Sequence, residues 1–579
     1  MPAGGKRLYL FFALAAYWLF FTWRGLTAWF TTDDATNLYF LHNVLSKPWP
    51  TAVFRAFLFP TSDYRPLGGA VYATIYGAFG FHPFPFRLIC FVLMAANLVI
   101  ARKLFHELTE SETAAWLGTL IFCYHAGESD LYFNTGTIYD LLCFPLCLLA
   151  VLVYLRMQKQ PGVRTGLRMA LIACLTVLAL NAKEIAFSIP GILIAAEIAF
   201  GFNQSNGRRN RIATILITGA LVAVSAWFRL NGPAALPVNP LYRPHYSIGF
   251  ALASLRRYFD ELTYSPGFFG TLRFGALVAV ASGIALAAKD RRVWFGLGWF
   301  CITVAPVLLI APRAAFVLYL PSAGLALAFA ALLDRIARRW MNRPVPGAAI
   351  FAAMTALLVV FHWGAHRRSE RGALEAPARY RDFVSDLAWL TPSVTGRTTM
   401  LLRNDPFGPD DSTPTALIHL RFAQPDMVVL REWPDNWNAS IPYLNLFQYV
   451  VEYRQGRAEK VQHAYSAPRP PTPLSNPVHM RFDPAMVKPG DPYTVVIPGF
   501  QEQIVSVRYL YRKAGFTLNG TAIAWTFVDA SAVARLKTPI DMEPGTVTIT
   551  EIRALTSNWM PAEGFIEVTT GNGLGIKKT

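Results

Sequence analysis

The chain has 579 residues, 54% of them hydrophobic and only 15% charged, against roughly 25% charged in an ordinary soluble domain. Its formal net charge is +17, but the Lys and Arg fall in short clusters between apolar segments and form no basic helix interleaved with aromatics, which speaks against a nucleic-acid-binding footprint. All the cysteines (Cys90, Cys123, Cys143, Cys147, Cys174 and Cys301) lie in apolar segments, which argues against a disulfide framework and a thiolate metal site.

Charge is sparse up to about Trp363 and ordinary beyond it, so the sequence predicts a membrane region followed by a water-soluble one. About 20 apolar residues are needed to cross the hydrocarbon. By that measure spans fall near 8–30, 84–104, 113–126, 136–155, 168–181, 186–202, 212–230, 268–288, 293–311, 315–333 and 347–363, about eleven in all. The first follows Lys6-Arg7 and is too long for the core of a signal peptide, so it reads as a retained helix. Basic clusters at Lys6/Arg7, Arg102/Lys103, 156–168, 208–211, 289–292 and 335–343 alternate with segments poor in basic residues. This predicts a cytoplasmic N-terminus, with 31–83, 127–135, 182–185, 231–267 and 312–314 on the outer face. Arg367, Arg368 and Arg371 break the pattern, since they follow the last span on the outer side.

Within the first outer loop, the residues from Asp33 onward and Leu67 to Phe79 read as amphipathic, aromatic-bearing interface helices that roof a cavity. The region 366–579 is polar and rich in Pro and Gly. It predicts an α+β or β-rich domain with strands at Thr399–Leu402, Met427–Leu430, Tyr493–Ile497 and Thr546–Thr550, and helical stretches near 376–391 and 441–457. The expected fold class is a polytopic α-helical membrane protein over 1–365 with a C-terminal soluble domain over 366–579.

Five ionisable clusters fall on the expected outer face. Asp33-Asp34 follows the first span, where a carboxylate beside a second carboxylate under a partly apolar roof has the properties of a general base; an acidic first turn of a helix is the plainer reading. Tyr64-Arg65-Pro66-Leu67 closes the same loop, and Arg65 suits bidentate contact with a phosphate or simple snorkelling. His125, Glu128 and Asp130 precede Asn134 and Asp140 at the turn between the third and fourth spans, where acids are costly; their spacing is not a strong metal signature. Lys183-Glu184 follows Asn181-Ala182: Lys183 is placed to balance an anionic leaving group, and Glu184 to hold Lys183 or Arg65. Last come Arg313 and, after it, Tyr319-Leu320-Pro321-Ser322, a small-residue and proline element typical of a kink beside a cavity.

In this order the five motifs resemble the GT-C membrane glycosyltransferases of the protein O-mannosyltransferase type, and in particular the transmembrane O-mannosyltransferases that carry tetratricopeptide repeats. The likeness covers about the first 330 residues. It departs at Ala315-Phe316, where the family has an acidic–arginine pair, and at Ala126, where it has a proline; no tetratricopeptide period is visible. The resemblance implies a polytopic fold and an inverting transfer of a sugar from a polyprenyl-phosphate or dolichyl-phosphate carrier to an acceptor hydroxyl, on a protein, glycan or lipid. By that likeness Asp33 is the base with Asp34 in support, and Arg65, Lys183 and Arg313 bind the donor phosphate. Tyr64, His125, Glu128, Asp130, Glu184 and Tyr319 support the site. The scheme requires no cofactor, although Asp33, Asp34, Glu128 and Asp130 are ligands suited to a divalent metal. The expected setting is the inner (plasma) membrane, among membrane lipids and without nucleic acid, with the C-terminal domain periplasmic. The alternative is a transporter or flippase of a lipid-linked sugar, which would handle the same ligand without chemistry.

Overall fold

A computed structural model describes residues 3–45, 65–160, 162, 164–201, 207–231, 242–340, 347–391, 394, 398–408, 411, 413–423, 427–433, 444, 447–454, 457–463, 478–487, 492–498, 504–511, 516–520, 525–528, 531–537, 545–554 and 559–568. It divides into two units, one of 1–230 with 241–379 and one of 231–240 with 380–579.

The first unit is helical. Among the described residues nine helices are long and apolar enough to cross a membrane, within 8–27, 83–109, 135–159, 165–182, 184–201, 208–230, 271–288, 315–337 and 347–390. This is fewer than the eleven expected from the sequence. Glu112–Phe122 has 11 residues, about half a crossing. Arg291–Leu308 opens on two arginines and contains Pro306, and it falls outside the set. The nine make this a multi-pass membrane protein, as the hydropathy pattern predicts.

Local rules set the helix ends. Pro83 and Pro85 open the helix Pro83–Thr109, where a missing N–H costs nothing. Ser111 accepts from the Ala114 N–H at 3.2 Å to start Glu112–Phe122, and its hydroxyl donates to Asp334 at 2.8 Å. Arg292 binds Asp290, Asp334 and the Thr109 carbonyl, and so ties three helix ends together. Helices Arg291–Leu308 and Tyr319–Trp340 meet backbone to backbone: a Cβ on Gly296 would lie 2.6 Å from the Gly324 carbonyl oxygen, and the reverse holds equally.

Helices Thr32–Leu45 and Pro66–Phe79 occupy the segments where interface helices were expected. The last helix, Gly347–Leu390, runs for 44 residues without a break, so the expected span at 347–363 and the expected helix at 376–391 are one element. At about 1.5 Å per residue it is roughly twice as long as the hydrocarbon is thick.

The second unit is rich in strands. β1 (Thr399–Arg403) lies parallel to both β2 (Val428–Glu432) and β3 (Tyr449–Arg454), and β4 (Arg457–Lys460) closes the sheet antiparallel to β3. Helix Thr413–Phe422 makes the crossover from β1 to β2. Leu401, Val428, Leu430, Phe447 and Val450 form the core beside it. The helix expected over 441–457 is corrected by β3. Tyr449-Val450-Val451-Glu452-Tyr453 is buried without alternation, as strands covered on both faces are, and such a run has no period of two to mark it. Further strands over 478–568 pair into a six-stranded and a four-stranded sheet, including Pro492–Pro498 and Gly545–Ala554 where strands were expected.

Candidate active site

The turn between helices Trp23–Thr27 and Thr32–Leu45 sets two adjacent carboxylates in opposite surroundings. Asp34 is fully buried. It accepts from the Thr31 N–H at 2.8 Å, the Thr135 hydroxyl at 2.5 Å and the Gly136 N–H at 3.0 Å, and it pairs with the Arg87 guanidinium at 3.0 Å. Arg87 also donates to the carbonyls of Ala28 and Trp29, so the turn is clamped from both sides. Asp33 is exposed and, among the described residues, takes one bond, from the Asn134 side-chain amide at 2.8 Å. Gly136 permits this approach, because a Cβ there would stand 3.0 Å from that of Asp33 and 2.8 Å from the Asn134 oxygen.

A cationic cluster stands on the next turns. Arg65 is buried at the start of helix Pro66–Phe79, bonds Glu184 through two nitrogens at 2.9–3.2 Å and covers the Tyr139 ring at 5.4 Å. Arg229, at the end of helix Arg208–Asn231, pairs with the same Glu184 carboxylate and donates to the Leu180 carbonyl at 2.6 Å. Lys183 pairs with the buried Asp140 and lies 4.7 Å over the Phe316 ring. Among the described residues, the three cations share the carboxylates of Glu184 and Asp140. Tyr139 links the clusters: its hydroxyl donates at 3.1 Å to Asn37, on the helix that begins at Asp33-Asp34. Asp130 lies between them. Burial, and then the charges of Asp33, Asp34 and Asp140, raise its carboxyl to about 6.

The remaining sequence candidates separate. Glu128 is fully buried, Oε1 has no hydrogen-bond partner among the described residues, and burial raises the carboxyl to about 8. Both nitrogens of His125 are occupied: Nδ1 accepts from the Gly127 N–H at 3.2 Å, and Nε2 donates to the Leu262 carbonyl at 3.0 Å. Its ring stacks on Tyr264, so it shapes the turn. Tyr319 packs between Phe122 and Phe144. Arg313 stacks on Tyr242 at 5.1 Å and its N–H meets the Tyr258 hydroxyl, so no described bond joins it to the Arg65 cluster. Tyr64 lies outside the described residues. Among the described residues no group of three His, Cys, Asp or Glu side chains is placed to hold a metal ion. Arg87 and Arg229 were not foreseen from the sequence.

No protein-family model matches the sequence, and no curated protein is similar to it by sequence. By structure, the chain is similar to ArnT from Cupriavidus metallidurans bound to undecaprenyl phosphate, with a TM-score of 0.50 at 10% identity over 79% of this chain and 98% of that one. The fold is like that of this ArnT. The apo form of the same ArnT gives a TM-score of 0.47 at 13% identity over the same shares of the two chains. At 10% identity the ArnT likeness concerns the path of the backbone, and the chemistry has to be argued from the side chains described above.

Proposed function

We propose that this protein transfers a sugar from a polyprenyl-phosphate carrier to an acceptor hydroxyl on the non-cytoplasmic face of the membrane. The observation that carries this reading is the pairing, on an ArnT-like fold, of one exposed carboxylate, Asp33, with a cluster of the buried Arg65 and Arg229 and the partly buried Lys183 on neighbouring turns. Undecaprenyl phosphate is bound by the ArnT to which the chain is similar, and a carrier phosphate of that kind suits a site where two guanidiniums and an ammonium gather.

In the proposed reaction Asp33, aimed by Asn134, takes the proton of the acceptor hydroxyl. The acceptor oxygen forms a bond to the anomeric carbon as the carbon–oxygen bond to the phosphate breaks, a single displacement that inverts the centre. The electron pair of the broken bond leaves on the lipid phosphate, stabilised by the Arg65–Lys183–Arg229 cluster. Asp34 is a positioning residue, since every bond it makes holds the turn on which Asp33 stands. The donor sugar in this reading is a hexose or a pentose. Arg313 serves at the rim, three residues before the Phe316 ring that Lys183 covers.

The test is release of undecaprenyl phosphate from a radiolabelled undecaprenyl-phosphate hexose by purified protein, with a cell-envelope extract as acceptor source. Wild type is expected to release the lipid and label an acceptor. Asp33→Asn is expected to lose about 10²–10⁴-fold in rate while binding donor as before. Movement of the intact lipid-linked sugar across a bilayer, without release of lipid phosphate, would establish the transporter instead.

A further inference from the structure

A cavity of about 570 Å³ opens beside the turn that carries Glu128 and is not used by the reaction above. Its wall includes Gly127, Arg257, Tyr264, Ala315, Arg368 and Ser369, so four separate chain segments of the first unit build it. The volume is within the range of small-molecule sites, about 300–1,000 Å³. Gly127 belongs to the same run of helical turns as Asp130 and Asn134, the neighbours of Asp33. Seven residues of such turns span on the order of 10–14 Å. A sugar unit or two covers that distance.

The lining holds two arginines, Arg257 and Arg368, and two carboxylates, Asp260 and Glu261, and they differ in how far each is already committed to other bonds. Both oxygens of Asp260 accept backbone N–H groups, from Gly267 at 3.1 Å and Phe269 at 3.0 Å. Glu261 is held by Arg257 at 3.2 Å through one guanidinium nitrogen. Arg368 is exposed and has no acidic partner among the described residues. It is also one of the three arginines that the orientation rule could not accommodate. Sharing a cavity with Gly127 puts Arg368 on the side of the membrane where the Asp33 turn lies. The cations available to a ligand are therefore Arg368 and the outward edge of Arg257, with Ser369 a hydroxyl donor beside them.

We propose that this cavity is the acceptor site, and that the acceptor carries an anionic group, a phosphate or carboxylate, held by Arg257 and Arg368 while a hydroxyl further along reaches Asp33. The assignment rests on the transferase reading and adds the class of acceptor to it.

The experiment uses the full chain in phosphatidylcholine nanodiscs saturated with undecaprenyl phosphate, so that the donor phosphate position is filled. Glucose 1-phosphate, glucuronate and uncharged glucose are titrated by calorimetry. Wild type is expected to bind the two anionic sugars at least about tenfold more tightly than glucose. The double variant Arg257→Gln/Arg368→Gln is expected to lose that preference, Arg257→Lys/Arg368→Lys to keep most of it, and both to bind undecaprenyl phosphate like wild type. In phosphatidylglycerol nanodiscs, weakened glucose 1-phosphate binding would support the cavity with a lipid headgroup as the source of the anion. Unweakened binding would support it with a glycan as the source. Equal affinity of wild type for charged and neutral sugars, no anionic sugar bound at about 10 mM, or an unchanged preference in the Gln variant overturns the acceptor site alone. A wild type that takes no undecaprenyl phosphate overturns the transferase reading and this assignment with it.

Discussion

Two chemically identical neighbours, Asp33 and Asp34, end up in different surroundings because of what each one touches. Asp34 has given all its accepting capacity to the fold, and Arg87 is its one charged partner among the described contacts. Removing that partner with Arg87→Met strands a buried carboxylate, at a cost of about 3–5 kcal/mol. A marked fall in thermal midpoint in detergent is the expected result, and an unchanged midpoint would mean that the clamp is not structural. Glu128 makes a prediction in pH. Burial raises its folded pKa to about 8, so the folded state holds a proton that the unfolded state has already lost above its ordinary value near 4.3. Its contribution is therefore greatest in acid and falls as pH rises towards 8. Glu128→Gln, which stays neutral, is expected to gain thermal stability over wild type on going from about pH 5 to pH 8. A gap between the two proteins that stays constant across that range would place the carboxyl in water.

At the scale of elements, the tight contact of helices Arg291–Leu308 and Tyr319–Trp340 is the most exacting. A side chain on Gly324 would meet backbone atoms, which cannot turn aside. Gly324→Leu is expected to lower the unfolding temperature, with roughly 1–3 kcal/mol or more lost to overpacking, whereas Gly275→Leu, with nothing within 4 Å, is expected to be neutral. Equal midpoints for the two variants would overturn this account of the crossing. What the sequence made legible follows the same division. Long apolar runs and their caps were readable, because hydropathy and proline placement act locally. Glu112–Phe122 was overcounted, since an apolar segment packed inside protein has the same composition as one in lipid. Arg87 and Arg229 were missed because each belongs to an apolar helix, whereas the candidate charges lay in turns. Their best available signal was the cost of an arginine in such a place. That Asp34 is clamped and Asp33 exposed depends on Thr135, Gly136 and Asn134, about a hundred residues away, and no local pattern announces such pairings.

For the whole molecule, the decisive property is sidedness. Gly127 and Ser369 line one cavity and so share a face of the membrane, while helix Thr271–Ala288 separates Pro266, at the same cavity, from Lys289. Single cysteines at Ser369 and Pro266 are expected to react with an impermeant maleimide from one side of sealed vesicles, and a cysteine at Lys289 from the other. Wild type supplies the background from Cys174 and Cys301, which are exposed on apolar helices. If all three positions were labelled from the same side, the helix 271–288 would not be a crossing.

If the proposed transfer holds, Glu184, held between Arg65 and Arg229, bears on turnover as well as on architecture. An arriving lipid phosphate must compete with an anion that never leaves, so it is held less tightly than bare arginines would hold it. The spent carrier is the more charged of the two lipids, and it would otherwise be the species most prone to linger. A resident carboxylate ready to reclaim both guanidiniums hastens its departure, trading some affinity for repeated use. On that logic Glu184→Gln makes an enzyme that grips its product and stalls after the first cycle, visible as a single-turnover burst followed by a slow steady state.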